Sequence, residues 1–238
     1  MRAASSSGWS WISCGEAGVI RGWWRRRARG GDRTRRWVVV DVEASGLVAE
    51  EDRLLAVAGV AVVIERGMPS LPVGDSFEVV LRQDAPLTGA EVDRENILLH
   101  GIGVGAQQAG VAPSDALAAF WRWVGDAPII GYHAAFDRTL IQRYSAMHLG
   151  RRPPNPWVDL EHVVRLVVPG LPSHSLDAAM ERLGVHCLRR HQAAADALAT
   201  AEVLLRIWDR ASAEMGGRSD IVALGRLAAR RHWLPKAG

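Results

Sequence analysis

Four acidic side chains interrupt apolar runs in this sequence. Asp41 and Glu43 fall in Trp37-Val38-Val39-Val40-Asp41-Val42-Glu43. Asp137 follows Gly131-Tyr132-His133-Ala134-Ala135-Phe136, and Asp196 lies within Ala193-Ala194-Ala195-Asp196-Ala197-Leu198-Ala199. Side chains alternate along a strand, so Asp41 and Glu43, two positions apart, point to the same face. Two carboxylates ending a buried strand repel each other and must shed water, which is costly unless positive charge lies between them. Taken singly, each acid has an ordinary explanation: a solvated strand end for the pair, a helix-cap role for Asp137, an exposed helix face for Asp196. His191 precedes Asp196 by five positions, about 140° around a helix. The two share a site only if His191 sits on the lead-in loop and folds back. Together, four carboxylates in order with a histidine near the last form an oxygen-rich set that suits hard divalent cations such as Mg²⁺ or Mn²⁺. Two such ions about 3.5–4 Å apart are the device used in phosphodiester cleavage.

The elements that must position these groups are readable from pattern. Trp37 to Glu43 reads as a buried strand that Ala44-Ser45-Gly46 ends in a turn. Leu54 to Glu65 and Ser76 to Arg82 read as a second and third strand, making an antiparallel meander. Ser114 is the expected N-cap of a helix over Ala116 to Val124, stopped by Gly125. Ala127 to Tyr132 predicts a short strand leading into a helix over Ala135 to Leu149, and Trp157 to Asp159 a fifth strand. Helices are expected over Leu160 to Val167, Ser175 to Leu183, Gln192 to Ser212 and Ile221 to Arg231. A meander followed by helix–strand–helix–strand, with helices to the end, describes an α/β domain with a mixed five-stranded sheet flanked by helices.

Composition bounds the function. Of 238 residues, 48% are apolar and 23% charged, and mean hydropathy is near zero, which excludes collagen-like and disordered classes. No apolar run approaches the ~18 residues of a membrane span, so no membrane partner is expected. Two cysteines, Cys14 and Cys187, are too few for a disulfide framework, which points to a cytoplasmic protein. Charge is unevenly spread. Met1 to Arg36 holds nine arginines against Glu16 and Asp32, leaving 24 acidic and 20 basic residues in the remainder. Residues 1–36 are therefore expected to be a basic, unstructured tail able to attract nucleic acid through phosphate contacts. A transit peptide or a misplaced start codon would account for that segment too. Residues 37–215 form the expected catalytic domain and 216–238 a short, helical C-terminal extension. An acidic body that handles nucleic acid needs bound cations to offset phosphate charge.

The motifs resemble a family. Val40-Asp41-Val42-Glu43-Ala44-Ser45-Gly46-Leu47 is similar to the first motif of the DEDDh 3′–5′ exonucleases, in the manner of the proofreading epsilon subunits of bacterial DNA polymerase III. Gly131 to Asp137 resembles their second motif, and His191-Gln192-Ala193-Ala194-Ala195-Asp196-Ala197 their H-x4-D-A third motif. Leu99-His100-Gly101-Ile102, Asp159-Leu160 and Ser175-Leu176-Asp177 echo the connecting regions, so the resemblance runs from Trp37 to Trp208. It implies an RNase H-like fold and removal of nucleotides from a 3′ end. It implies further that Asp41, Glu43, Asp137 and Asp196 hold two Mg²⁺ or Mn²⁺ ions and that His191 is the general base. Ser45, Gly46 and Leu47, with His100, His133 and Phe136, would meet the 3′-terminal nucleotide. Ala44 stands where the family commonly has Thr, and Tyr132-His133 where it commonly has His-Asn.

The expected substrate is nucleic acid with a free 3′ end, DNA ahead of RNA because the motifs are epsilon-like, and a DNA polymerase is a partner the resemblance allows. Three alternatives stand beside it: an exoribonuclease of the oligoribonuclease or RNase T kind, a non-catalytic nucleic-acid-binding module on the same fold, and an RNase H-type endonuclease. The intact acid set disfavours the second and the H-x4-D spacing the third. Among the remaining histidines, His148, His162, His174, His186 and His232 are expected at the surface or in packing.

Overall fold

The computed structural model describes residues 35–83 and 94–230. Most of the expected basic tail, residues 84–93 and residues 231–238 with His232 lie outside them. The first strand, β1 (Arg35–Ala44), begins two residues before the apolar run. Its two leading arginines have partners. Arg35 donates to the Ser219 carbonyl at 2.9 Å, and Arg36 makes a two-pronged pair with Asp75, both bonds 2.8 Å, while lying over the Trp123 ring.

β1 pairs antiparallel with β2 (Leu54–Glu65). On the other side it pairs in parallel with β5 (Ile129–Gly131), which is in turn parallel to β6 (Trp157–Asp159). The outer edge of β2 takes two antiparallel segments, β3 (Met68–Ser70) and β4 (Ser76–Val80). The sheet is mixed, as expected, but has six strand segments, because two short ones share the outermost position. β3 follows a two-residue turn in which Arg66 and Gly67 both have positive φ, the hairpin geometry whose twist matches the flanking strands.

Two helices absent from the sequence-based expectation, α1 (Arg94–His100) and α2 (Val104–Ala109), precede α3 (Pro113–Val124). Ser114 is not the cap of α3. The N-cap is Ala112, with Pro113 in the first turn, where proline's fixed φ suits a helix start. Then follow α4 (Ala134–Leu149), α5 (Leu160–Val167), α6 (Leu176–Leu183), α7 (Ala193–Glu214) and α8 (Ile221–Ala229). Ser175 caps α6, its hydroxyl accepting from the Ala178 N–H at 3.2 Å.

The alternation of β1 sorts the core into two layers. Val38, Val40 and Val42 pack with Leu117, Phe120, Leu140 and Ile141 of α3 and α4. Trp37 and Val39 pack with the cluster that contains Val163 of α5, Ala179 of α6, Leu204 and Trp208 of α7, and Leu224 of α8. Asp41 and Glu43 share parity with Trp37 and Val39, so they face the α7 side. Trp121 and Trp123 both serve packing: the buried Trp121 indole donates to Ser145 at 2.8 Å, and Trp123 stacks on Phe77.

Strand and helix meet closely at Gly59, where an added Cβ would lie 2.9 Å from the Val39 carbonyl oxygen and 3.0 Å from the Trp123 ring. The carbonyl belongs to the central strand and cannot retreat. Gly59→Ala is expected to lower stability by about 1–3 kcal/mol, measured as a shift in the urea midpoint at unchanged m-value.

Candidate active site

The C-terminal end of β1 carries Asp41 and Glu43 out of the apolar core, and two helices bring the other acids to it. α4 starts from a sharp corner after β5, with His133 in the left-handed region at φ 60°. That corner places Asp137 in the first turn, where it is only 4% exposed. Gly131 makes room for it: a Cβ there would approach Ala134 at 3.1 Å and Asp137 Oδ2 at 3.2 Å. The corner is held by Asp159, whose Oδ1 accepts from the His133 N–H at 3.0 Å and from the Glu161 N–H at 3.1 Å, so the same carboxylate caps α5.

Asp196 lies in the first turn of α7 and is 6% exposed. His191 sits on the loop before that helix, at φ 61°, and its N–H donates to Asp196 Oδ2 at 3.0 Å. The lead-in chain thus folds back onto the helix it precedes. The other oxygen, Oδ1, is in contact with the Arg190 guanidinium and lies 3.5 Å from Cys187 Sγ.

The acids feel one another's charge. Burial, then the charges of Asp137, Asp196 and Glu43, hold the Asp41 carboxyl well above the usual range. Burial and then Asp196 push Glu43 up to about 7. Burial, aided by Asp159 and Glu43, pushes Asp137 up to about 8, against the donated N–H groups of Asp137 itself and Val42. Arg190 pulls Asp41 and Glu43 the other way. Clustered oxygen donors that resist ionising together fit the charge of a hard divalent cation.

The segment after the paired acids is a fixed loop. The Ser45 hydroxyl donates to Asp52 Oδ1 at 2.9 Å and accepts from the Arg53 N–H at 2.9 Å, while Asp52 Oδ2 accepts from the Val48 N–H at 2.7 Å. A Cβ on Gly46 would stand 2.6 Å from the Asp52 carboxylate. From α4, Arg143 donates to the Ala49 carbonyl at 3.1 Å and to that of Asp52. Leu47 projects from this loop 93% exposed. Among the other expected contact residues, His133 is exposed and Phe136 half-buried against the α3–α4 core. His100, by contrast, is 2% exposed at the end of α1, its Nδ1 accepting from the Ile102 N–H at 2.9 Å. That burial makes His100 a turn-forming residue.

Sequence reading missed Arg190, Asp52 and Arg143, and the bridging role of Asp159. Arg190 stands next to His191, and that adjacency was the signal available. His162 and His174, expected as surface or packing residues, lie 3.2 and 3.9 Å from the buried Glu161 carboxylate.

The family model described as Exonuclease (RNase T) matches residues 38–204. The DNA polymerase III subunit epsilon of Aquifex aeolicus is 27% identical over 171 residues, covering 72% of this chain and 79% of that protein. The DNA polymerase III PolC-type of Bacillus subtilis is 28% identical over 172 residues, 72% of this chain but 11% of that protein. The epsilon-like protein of Rhodobacter capsulatus is 29% identical over 178 residues and is matched over 23% of its length. The chain therefore spans only a small part of these last two relatives. Among solved structures, E. coli exonuclease I in complex with a dT13 oligonucleotide superposes with a TM-score of 0.63 at 19% identity, covering 80% of this chain and 45% of that one. This likeness identifies the sheet and its flanking helices as the RNase H-like fold. No helix among the described residues is long and apolar enough to cross a membrane.

The raised carboxyls give a signed pH dependence. Each folded-state pKa stands above its unfolded value, so their contribution to stability is fully present below the usual carboxylate range and is lost as pH rises from about 4 towards 8. In EDTA, the melting temperature is expected to be higher at pH 5 than at pH 8, and Glu43→Gln to flatten that slope. Calorimetry across the range checks both.

Proposed function

The chain belongs to the RNase T family of exonucleases, and from that premise we propose that it is a 3′–5′ exonuclease acting on single-stranded DNA with two bound Mg²⁺ or Mn²⁺ ions. The observation that carries the proposal is that Asp137, Asp196 and Glu43 stand near enough to Asp41 for their charges to raise its carboxyl, with the His191 loop tied to Asp196. These four carboxylates would hold the ions, and Asp196 keeps its orientation through the His191 N–H. When bound, such ions polarise the scissile phosphate and make water a better nucleophile near neutral pH.

His191 would accept the proton from an attacking water. A neutral imidazole can accept a proton and so act as a general base. Its place on the loop before α7, with its N–H tied to Asp196, sets the residue beside one of the four carboxylates. Ser45 and Gly46 offer backbone and Leu47 an apolar surface to the terminal nucleotide. The loop is held by Asp52 and Arg143, so that surface is presented with little ordering cost on binding. His133 and Phe136 at the start of α4 would complete the pocket. DNA is favoured over RNA because the matched relatives are named for DNA polymerase III and the fold neighbour was solved with dT13. A DNA polymerase is the partner class that the same relatives suggest.

The test is a time course on matched single-stranded DNA and RNA oligonucleotides labelled at the 5′ end, with Mg²⁺, Mn²⁺ or EDTA. A ladder shortening from the 3′ end, abolished by EDTA and by Asp41→Ala, is expected, faster on DNA. His191→Ala is expected to lower the rate by about 10²–10⁴-fold without loss of folding. Undiminished turnover in Asp41→Ala would sink the metal assignment, and faster cleavage of RNA would reassign the substrate.

A further inference from the structure

Arg190 is the one cation that touches a member of the carboxylate set among the described residues. Its Nε donates to Asp177 Oδ1 at 2.6 Å and its Nη2 to Asp177 Oδ2 at 3.4 Å, while Nη1 meets Asp196 Oδ1. The guanidinium therefore bridges α6 and α7. Its two partners differ. Asp196 is buried, and its second oxygen is already taken by the His191 N–H. The Asp177 side chain is 61% exposed in the first turn of α6, a position from which it can hold a guanidinium without help.

A divalent ion held by Asp196 would compete with the guanidinium for the same carboxylate, and like charges repel where water is scarce. We propose that Arg190 is a resident counter-cation, which holds Asp196 until a divalent ion takes Oδ1 and then retires onto Asp177. This inference rests on the metal-binding reading of the four carboxylates.

One consequence follows from covalent connection and one from linkage. Arg190 is bonded to His191, so the guanidinium's departure is transmitted to the loop that carries the proposed base. Arg190 is thus a positioning residue, acting through Asp196 and His191. Linkage makes the effect reciprocal: whatever Arg190 contributes to holding Asp196 is subtracted from divalent-ion affinity. The fork geometry matters as well. One guanidinium spans both carboxylates at once, whereas a lysine ammonium is a single point of charge on a flexible stem and lacks that planar fork.

The experiment measures ion binding directly. Mn²⁺ is titrated calorimetrically into the EDTA-stripped, dialysed full chain, comparing the parent with Arg190→Gln, Arg190→Lys and Asp41→Ala. Arg190→Gln is expected to bind Mn²⁺ about tenfold more tightly, while its melting temperature without metal falls. Arg190→Lys, which keeps the charge and guards against misfolding of the Gln variant, is expected to fall between. A second readout follows the Arg190 side-chain ¹⁵Nε resonance, assigned by its loss in Arg190→Lys, as Mg²⁺ is added. It is expected to shift with occupancy. Unchanged or weaker Mn²⁺ binding in Arg190→Gln, or a resonance that ignores Mg²⁺, overturns the role of Arg190 while leaving the metal site intact. If the parent chain binds no Mn²⁺ and Asp41→Ala behaves identically, the metal reading itself fails, and the role of Arg190 with it.

Discussion

Four partly or fully buried carboxylates near enough to feel one another's charge repel, and the surrounding architecture is what keeps them there. Asp41 and Glu43 are fixed by the register of a central strand bonded on both sides. Asp137 and Asp196 arrive on the first turns of two helices, where the ends of the backbone dipoles offset part of the charge. Neither helix could retreat without opening a core: α4 is held by Leu140 and Ile141, α7 by Leu204, Ile207 and Trp208. Hydrophobic burial in two separate layers thus supplies the force that opposes electrostatic repulsion at the seam between them. The proposed site therefore lies where the structure is least content on its own.

Much of this was legible because the physics is local. The period of two along β1 assigns Asp41 and Glu43 to one face irrespective of what covers it, and the five-residue offset of His191 from Asp196 already required a fold-back before α7. Other features depend on partners distant in the chain. Arg143 reaches the Ala49 carbonyl across 94 positions, and Arg190 meets Asp177 across 13. In a chain whose basic residues are nearly all arginine, no pattern marks which ones turn inward. β3 was hidden by Pro69, which weakens a strand signal and is tolerated here at the sheet edge. α1 and α2 are short, and Gly101, Gly103 and Gly110 around them break any apolar period.

The corner between β5 and α4 shows how a departure from a familiar motif can be accommodated. Tyr132 and His133 pack edge to face, and the Tyr132 hydroxyl donates to the Ser175 carbonyl at 3.2 Å. The neighbouring Glu161 and Asp159 charges reinforce burial in keeping that hydroxyl protonated. The turn that sets Asp137 is therefore linked to the cap of α6, the helix that bears Asp177. Two segments far apart in sequence, one carrying an acid and one the partner of Arg190, share a single support.

The length of α7 gives its far end a say in events at its beginning. Asp196 occupies the first turn, and Trp208, twelve residues on, is about 18 Å along the axis. There the indole N–H donates to the Gly67 carbonyl at 2.8 Å, and the ring packs on Trp37. Gly67 belongs to the β2–β3 hairpin and Trp37 to the strand that carries Asp41 and Glu43. A rigid rod pinned at its distant end behaves as a lever: a small tilt at the tryptophan becomes a displacement of the carboxylate at the tip. The spacing between opposing acids is thereby linked to a contact about three turns away along the helix.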